Sequence, residues 1–158
     1  MSFISHSGYG YSKKLCEDIT SWFLNKYYPR HKIDVDIVHR GLKREGAYGY
    51  CDVIGPSHRP RHFLIELQTE MSKELYTKIL FHELKHLAQW VDGKLRFRHG
   101  KMCYCQEPVE KYDYVDQPHE IEAREWEEIL YDLYLNDKQS VPVKQVAQQS
   151  FPNRLMAI

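Results

Sequence analysis

Two histidines and a glutamate near the middle of the chain have a spacing that suits metal chemistry. His82, Glu83 and His86 form the pattern HExxH. Residues i and i+4 project from the same face of a helix, so both imidazoles can reach one metal ion. Glu83 is turned by about 100° from His82, which places its carboxylate beside a water molecule on that ion. The pattern therefore predicts a Lewis acid with an adjacent general base.

HExxH has only three fixed letters, and the alternative explanation is a solvated helix face without function. The surrounding sequence argues against that alternative. From about Ser72 to Val91 the residues have the period of one helix, and the three polar residues share a stripe with Leu75, Ile79 and Trp90. Burying them without a ligand would be costly. We therefore expect His82 and His86 to bind a metal ion, with zinc as the first candidate.

A catalytic zinc site has three protein ligands, so one more residue is needed. His99, 13 residues after His86, is one candidate, although it falls at a predicted hairpin turn. Glu120 and Glu122 are the others, on a last predicted helix that begins near Pro118. The apolar positions of that helix centre nearer Glu122 than Glu120. The residues alone leave the choice open.

The elements before the HExxH helix predict a small α+β domain. An amphipathic helix, with Ser12 as its N-cap and Pro29 after its end, comes first. Three short strand patterns follow, at Ile33–Ile37, Tyr48–Ile54 and Phe63–Leu67. Each is bounded by turn residues, so we expect a small, mostly antiparallel sheet.

The elements after the HExxH helix predict a hairpin and a second long helix. Apolar runs flank His99 and Gly100, which is typical of a hairpin. The last helix runs to about Leu135. We assign residues 1–135 to one domain and expect residues 136–158 to form a loosely ordered tail.

Composition limits the class of partner. The 158 residues include 22 Lys and Arg and 22 Asp and Glu, and this zero net charge argues against nucleic acid or an anionic membrane as a partner. No run of about 18 apolar residues is present, and residues 1–6 do not begin a signal peptide. Four cysteines without a secretion signal favour a reducing cytoplasm. We expect a protein or peptide substrate, and the oligomeric state stays open.

The segment from His82 to Leu130 resembles small phage-type zinc metallopeptidases. HExxH is followed by a short hairpin and by the sequence PxExEA at residues 118–123, with Gln89, Gly93 and Leu95 between them. The segment is also similar in pattern to ImmA/IrrE-like metallopeptidases, in which a Glu after HExxH binds zinc. The resemblance implies a minimal zincin-like domain of gluzincin type, with Glu120 as the third ligand. It also implies a cytoplasmic zinc metallopeptidase in which a zinc-bound water, activated by Glu83, hydrolyses peptide bonds; for a phage protein this is the host cytoplasm.

The resemblance bears on two further parts of the chain, and the position of two tyrosines just before the last helix suggests a third role. In zinc peptidases the strand before the HExxH helix commonly binds extended substrate, which transfers to Phe63–Gln68. In thermolysin-like gluzincins an Asp four residues after the ligand Glu often orients a zinc histidine, but here that residue is Arg124, so another residue must do so. Tyr112 or Tyr114 could stabilise an oxyanion, although packing is the commoner role in a chain with 12 tyrosines.

Three other functions remain as alternatives. An SprT-like, DNA-associated protease would use His99 as its third zinc ligand. A non-catalytic, zinc-stabilised binding module would keep its effect without Glu83. Hydrolysis of a non-peptide amide would use the same groups as peptide hydrolysis.

Overall fold

The computed structural model describes the backbone of residues 1–150 and the side chains as far as Gln139. Within that part, three α-helices and seven β-strands follow one another, joined by loops and short 3-10 turns. In chain order they are β1 (Phe3–Gly8), α1 (Lys13–Tyr27), β2 (Asp34–His39), β3 (Gly49–Val53), β4 (His62–Leu67), α2 (Lys73–Val91), β5 (Leu95–Arg98), β6 (Lys101–Tyr104), β7 (Glu107–Pro108) and α3 (Pro118–Ser150). The molecule is an α+β protein with two small sheets.

The larger sheet has the strand order β1-β2-β4-β3. β1 pairs with β2 and β2 pairs with β4 in parallel, and only β3 and β4 are antiparallel. The prediction of a mostly antiparallel sheet is therefore wrong. Two pairings contradict it. β1, which the sequence pattern did not indicate, is joined to β2 by α1, and a helical crossover of this kind joins parallel strands. β2 and β4, both predicted, also pair in parallel, because β3 lies between them in sequence and pairs on the other side of β4.

The three predicted strands are present as β2, β3 and β4, with bounds shifted by one or two residues. β2 and β4 alternate between buried and half-buried residues, as expected for a sheet covered on one face. Their buried side chains, which include Ile37 and its register partner Ile65, are fully inaccessible to solvent. The core lies between this face and the helices α1 and α2.

Both predicted helix starts are confirmed by their caps. The hydroxyl of Ser12 accepts the Leu15 backbone N–H at 3.2 Å, and the hydroxyl of Ser72 accepts the Leu75 N–H at 3.2 Å. Such caps satisfy donors that the first helical turn leaves unpaired. The start of α2 is thus fixed about three turns before the HExxH residues.

The predicted hairpin is also confirmed. β5 and β6 pair in antiparallel register and β7 adds a third short strand. His99 occupies the turn with a φ of 54°, in the left-handed region, and is exposed.

α3 is longer than the sequence pattern indicated. The predicted end near Leu135 is wrong, because the helix continues to Ser150. Asp137 accepts a hydrogen bond from the Trp22 indole at 2.9 Å, and Lys138 donates to Asp18 at 2.8 Å. These polar residues after Leu135 are bound by α1, which is distant in sequence, so the local sequence pattern did not predict that the helix continues. The remainder of the proposed tail, residues 151–158, lies outside the described residues. None of the helices in the described part is long and apolar enough to cross a membrane.

Candidate metal centre

Two helices bring together three side chains that could bind a metal ion. His82 and His86 lie on α2, and Glu120 lies in the first turn of α3. The Glu120 Oε1 atom is 3.1 Å from His82 Nε2, and its Oε2 atom is 3.1 Å from His86 Nε2. The candidate ligand atoms of all three residues lie within 4.8 Å of one another. The side chains are 8 to 13% exposed, so the cluster is almost fully shielded from water.

The other two candidates for a third ligand lie elsewhere. Glu122 turns away from the cluster, where its carboxylate accepts hydrogen bonds from Gln89 at 3.0 Å and from Lys94 at 2.9 Å. His99 is at the exposed hairpin turn. Of the three, the structure brings Glu120 to the two histidines.

Each clustered histidine is oriented by an acceptor on its second nitrogen. His82 Nδ1 lies 2.8 Å from Glu127 Oε1, and His86 Nδ1 lies 2.8 Å from Gln89 Oε1. An acceptor at Nδ1 places the proton there, so Nε2 presents its lone pair whenever the ring is neutral. Sequence reasoning missed both partners, although Glu127 is seven residues after Glu120 and so lies two helical turns along the same face.

The side-chain amide of Gln89 is held in one orientation by its own hydrogen bonds. Its amide N–H groups donate to the His119 carbonyl at 3.0 Å and to Glu122 Oε1 at 3.0 Å, which directs its amide oxygen to His86. Lys94 holds the other oxygen of Glu122. Glu122 therefore contributes to the orientation of His86 through Gln89.

The three clustered groups strongly attract positive charge. Burial opposes the charged form of His82, but hydrogen bonds to Glu120 and Glu127 raise its pKa to about 10. Burial likewise opposes the charged form of Glu120, and the two histidines nevertheless hold the pKa of Glu120 well below its usual range. The pKa of His86 is raised against burial by its hydrogen bond to Glu120. In the absence of a cation, protons therefore compensate the carboxylate.

This donor set fits a zinc ion. Two imidazole nitrogens and one carboxylate oxygen are the composition of a three-ligand catalytic zinc site. An acceptor behind each imidazole is the usual arrangement around such ligands. A divalent cation would also replace the protons that the cluster holds without it. The residues that would bind zinc are thus His82, His86 and Glu120.

Glu83 lies beside the cluster in a cleft of about 610 Å³, hereafter the cleft. Its side chain is 5% exposed, and burial raises its pKa to about 7, although His86 and His82 act in the opposite direction. Gly49 of β3 packs against it: a Cβ atom at this position would lie 3.0 Å from Glu83 Oε2 and 3.1 Å from the Glu66 carbonyl oxygen. The carboxylate therefore occupies space that only glycine leaves open.

His119 is a second buried histidine next to the cluster. Its Nε2 atom is 3.5 Å from Glu120 Oε2, and burial lowers its pKa to about 4, so its ring is neutral. Its Nδ1 atom is buried and has no hydrogen-bond partner among the described side chains. A neutral ring with Nε2–H directed at Glu120 satisfies one nitrogen and leaves the other as a lone pair.

The strand expected to bind substrate is not available for that role. β4, which contains most of Phe63–Gln68, is paired with β2 on one side and β3 on the other. Both of its edges are therefore used within the sheet. β3 is the edge strand on this side of the sheet, and Gly49, Tyr50 and Cys51 of β3 line the cleft. The expectation for Phe63–Gln68 is corrected accordingly.

Comparison with known proteins adds no family to this description: no protein-family model, curated protein or solved structure matches the chain.

Proposed function

We propose that this protein is a zinc-dependent peptidase of gluzincin type. The observation that carries the proposal is the convergence of His82 Nε2, His86 Nε2 and the Glu120 carboxylate beside the buried carboxylate of Glu83. The convergence follows from two separate helices, so helical spacing alone does not produce it. The cleft provides room for a chain segment of a substrate.

His82, His86 and Glu120 would hold the zinc ion. Bound there, zinc supplies a Lewis acid and lowers the pKa of a water molecule from 15.7 towards about 7. Glu127 and Gln89 keep the Nε2 atoms of the histidines directed at the site. Their role is to fix the geometry before any substrate arrives.

Glu83 would act as the general base and then as the acid. It accepts a proton from water as the water oxygen bonds to the carbonyl carbon of the scissile amide, and the π electron pair moves to the carbonyl oxygen. Glu83 then gives that proton to the amide nitrogen as the C–N bond breaks. The products are a carboxylic acid and an amine, which exchange the remaining proton with solvent.

The edge strand β3 supports a peptide as the substrate. An edge strand presents backbone N–H and C=O groups that are not used within its own sheet. An extended peptide can pair with such an edge, which would place its backbone along the wall of the cleft beside Glu83. Backbone pairing also favours a peptide over a small amide. We place the enzyme in the cytoplasm, since its four cysteines are free thiols.

The test is metal-dependent hydrolysis of a peptide library by the purified protein, with Glu83→Gln as the diagnostic variant. We expect wild-type hydrolysis to disappear with a chelator and to return with zinc. Glu83→Gln should bind one equivalent of zinc and lose about 10²- to 10⁴-fold in kcat, which is the usual contribution of a general base. Glu125→Gln, on an exposed position of α3, is the matched control.

Zinc stoichiometry separates the alternatives. His82→Ala, His86→Ala and Glu120→Ala should each abolish tight zinc binding, whereas His99→Ala should leave it intact. A loss of zinc in His99→Ala with retention in Glu120→Ala would contradict the ligand set proposed above. A wild-type protein that binds zinc but cleaves no peptide would support a binding module instead.

A further inference from the structure

A second cavity, hereafter the helix-junction cavity, lies where α1, α2 and α3 meet. Its volume is about 680 Å³, within the range of sites that hold small molecules. The loop after β1 contributes residues 10–12 to its lining, and the loop after β4 contributes Met71. Because β1 and β4 both run parallel to β2, these loops leave the same edge of the sheet, where small molecules commonly bind. None of the described residues that line this cavity also lines the cleft, so it is separate from the candidate metal centre.

The lining of the helix-junction cavity carries an excess of positive charge. Lys14 of α1, Lys73 of α2 and Lys138 of α3 line it, and Asp18 of α1 is the one acidic residue among the described lining residues. Lys138 lies 2.8 Å from Asp18, whereas neither Lys14 nor Lys73 forms an ion pair with a described side chain. Three helices thus place three ammonium groups and one carboxylate around this cavity, although the chain as a whole has zero net charge.

Two further carboxylates on α1 and α2 are engaged outside the cavity. Glu17 lies 2.8 Å from His6, and Glu74 accepts a hydrogen bond from the Tyr131 hydroxyl at 3.5 Å. None of these four residues is among those that line the helix-junction cavity. Glu17 and Glu74 therefore do not offset the positive excess of its lining.

Aromatic rings form much of the apolar wall of the helix-junction cavity. Five side chains contribute to that wall: Tyr11, Tyr76, Tyr134, Leu15 and Met71. The buried His39 fixes two of the rings, because it stacks on Tyr11 with 3.4 Å between ring centres and its Nε2 atom lies 2.9 Å from the Tyr76 hydroxyl. The Tyr134 hydroxyl donates to Asp18. Since these hydroxyls already have partners, the tyrosines offer a ligand mainly aromatic surface.

We propose that the helix-junction cavity binds a small phosphate ester with a planar organic group, such as a nucleoside monophosphate. A phosphate monoester carries a charge of about −1.5 to −2 at pH 7, which matches the excess of lysines over Asp18 in the lining. A single carboxylate would leave part of that excess uncompensated. Lys14 and Lys73 bind the phosphate group, and the planar group packs against the tyrosine wall. This inference goes beyond the peptidase function proposed above and does not depend on it.

Calorimetric titration of the full chain with the common 5′-nucleoside monophosphates tests the proposal. At least one of them should bind with a stoichiometry of one. The matching nucleoside and inorganic phosphate should each bind at least about 10-fold more weakly, because each lacks one of the two recognised groups. Equal affinity for a nucleotide and its nucleoside would show that no phosphate group is bound. If no nucleotide binds more tightly than inorganic phosphate, the aromatic wall has no role and the proposal is wrong.

Lysine variants locate the phosphate group. We expect Lys14→Gln and Lys73→Gln each to weaken nucleotide binding by about 10-fold, because each removes a charged hydrogen-bond donor. Lys13→Gln is the matched control, since Lys13 is the exposed neighbour of Lys14 on α1 and does not line the cavity. All three variants change the net charge equally. If Lys13→Gln weakens binding as much as Lys14→Gln does, the attraction is unspecific and the site is not the helix-junction cavity.

A tyrosine variant locates the planar group. Tyr11→Leu should weaken nucleotide binding by about 10-fold through loss of the stacking surface and should leave the affinity for inorganic phosphate unchanged. Tyr9→Leu is the control, because Tyr9 is 62% exposed and lies outside the lining. Circular dichroism establishes that both variants are folded. A folded Tyr11→Leu with wild-type nucleotide affinity would contradict the proposed stacking.

The same titrations with His82→Ala separate the two cavities, because a phosphate group can also bind a metal ion. His82 lines the cleft and not the helix-junction cavity, so nucleotide affinity should stay that of the wild type. Loss of nucleotide binding in His82→Ala would place the ligand at the candidate metal centre and overturn the inference. A protein that hydrolyses no peptide but binds the nucleotide through Lys14 and Lys73 would contradict the proposed peptidase function alone.

Discussion

At the scale of single residues, the candidate site depends on groups that do not themselves contact the proposed zinc ion. Glu127 and Gln89 occupy the Nδ1 atoms of the two histidines, and this decides that both Nε2 atoms face Glu120. Without such acceptors each ring could rotate or take the other tautomer. We therefore expect Glu127 to contribute to the affinity for the proposed zinc ion.

We expect Glu127→Ala to weaken zinc binding by about 10- to 100-fold, because loss of an acceptor behind a metal-binding histidine has effects of that size. Glu127→Gln retains an acceptor oxygen and should recover part of the loss. Glu125→Ala, an exposed change on the same helix, is the control. Competition with a chelator of known affinity measures all three. An affinity of Glu127→Ala equal to that of Glu125→Ala would show that His82 needs no such partner.

At the scale of elements, β3 is packed so closely against α2 that it determines where Glu83, the proposed general base, can lie. The Glu83 carboxylate and the Glu66 carbonyl both approach the position of a missing Cβ atom at Gly49. Contacts of 3.0 and 3.1 Å are tighter than most real Cβ contacts, so either β3 or Glu83 must shift by a few tenths of an ångström. Because the ladder to β4 restrains the strand, the Glu83 side chain is the part that gives way.

We therefore expect Gly49→Ala to reduce kcat about 10- to 100-fold through displacement of Glu83, with zinc content unchanged. Gly41→Ala is the matched control, because the nearest atom to its added Cβ is the Tyr9 hydroxyl at 4.0 Å. Neither glycine has a positive φ, so alanine causes no backbone strain at either position. Steady-state kinetics and metal analysis of both variants test this expectation. Equal kcat values for Gly49→Ala and Gly41→Ala would mean that β3 shifts and Glu83 keeps its position.

Local signals predicted the helices and the hairpin, and non-local pairing explains what the sequence did not predict. The hydroxyls of Ser12 and Ser72 cap the helices that follow them directly, so those starts could be found from the sequence. β1 could not, since Ser5-His6-Ser7 lacks apolar alternation and its partner strand is about 30 residues away. The parallel pairing of β2 with β4 was not predictable either, because β3 lies between them in sequence and pairs on the other side of β4.

The candidate site also combines residues that the sequence predicts with residues that depend on the packing of distant elements. The spacing of His82, Glu83 and His86 is a property of one helix and is readable from the sequence. Glu120 was expected only through resemblance, because the crossing of α2 and α3 decides which α3 residue faces the histidines. Glu127 depends on that crossing too, and no local pattern marked it.

At the scale of the whole molecule, α3 joins the candidate metal centre to the first helix. Its first turn carries Glu120, and about four turns later Tyr134 and Lys138 both donate to the carboxylate of Asp18 on α1. The Tyr134 ring also packs edge-on against Trp22, at 5.4 Å between ring centres. Any movement of α1 away from α3 must break these contacts, so the N-terminal helix supports the helix that carries the third proposed ligand.

The contact between Tyr134 and Asp18 predicts a pH-dependent contribution to stability. Burial opposes the charged form of Asp18, but hydrogen bonds from Lys138 and Tyr134 lower its pKa below the usual 3.8. A carboxyl group with a lowered pKa stabilises the fold above its unfolded pKa, and the contribution is lost as pH falls through the folded pKa. Tyr134→Phe keeps the ring and removes the hydroxyl. The Asp18 side chain that accepts this hydrogen bond is 38% exposed, so water screens the interaction. We therefore expect Tyr134→Phe to lower the free energy of unfolding at pH 7 by roughly 1 kcal/mol.

Urea unfolding followed by circular dichroism tests this pH dependence. The difference in free energy of unfolding between wild type and Tyr134→Phe should be full at pH 7 and should shrink below pH 3.8, where Asp18 takes up its proton. Tyr131→Phe is the control, because the Tyr131 hydroxyl makes only a long, exposed contact with Glu74 at 3.5 Å. If Tyr134→Phe loses no more stability than Tyr131→Phe at pH 7, the link between α3 and α1 rests on ring packing rather than on the charged hydrogen bond.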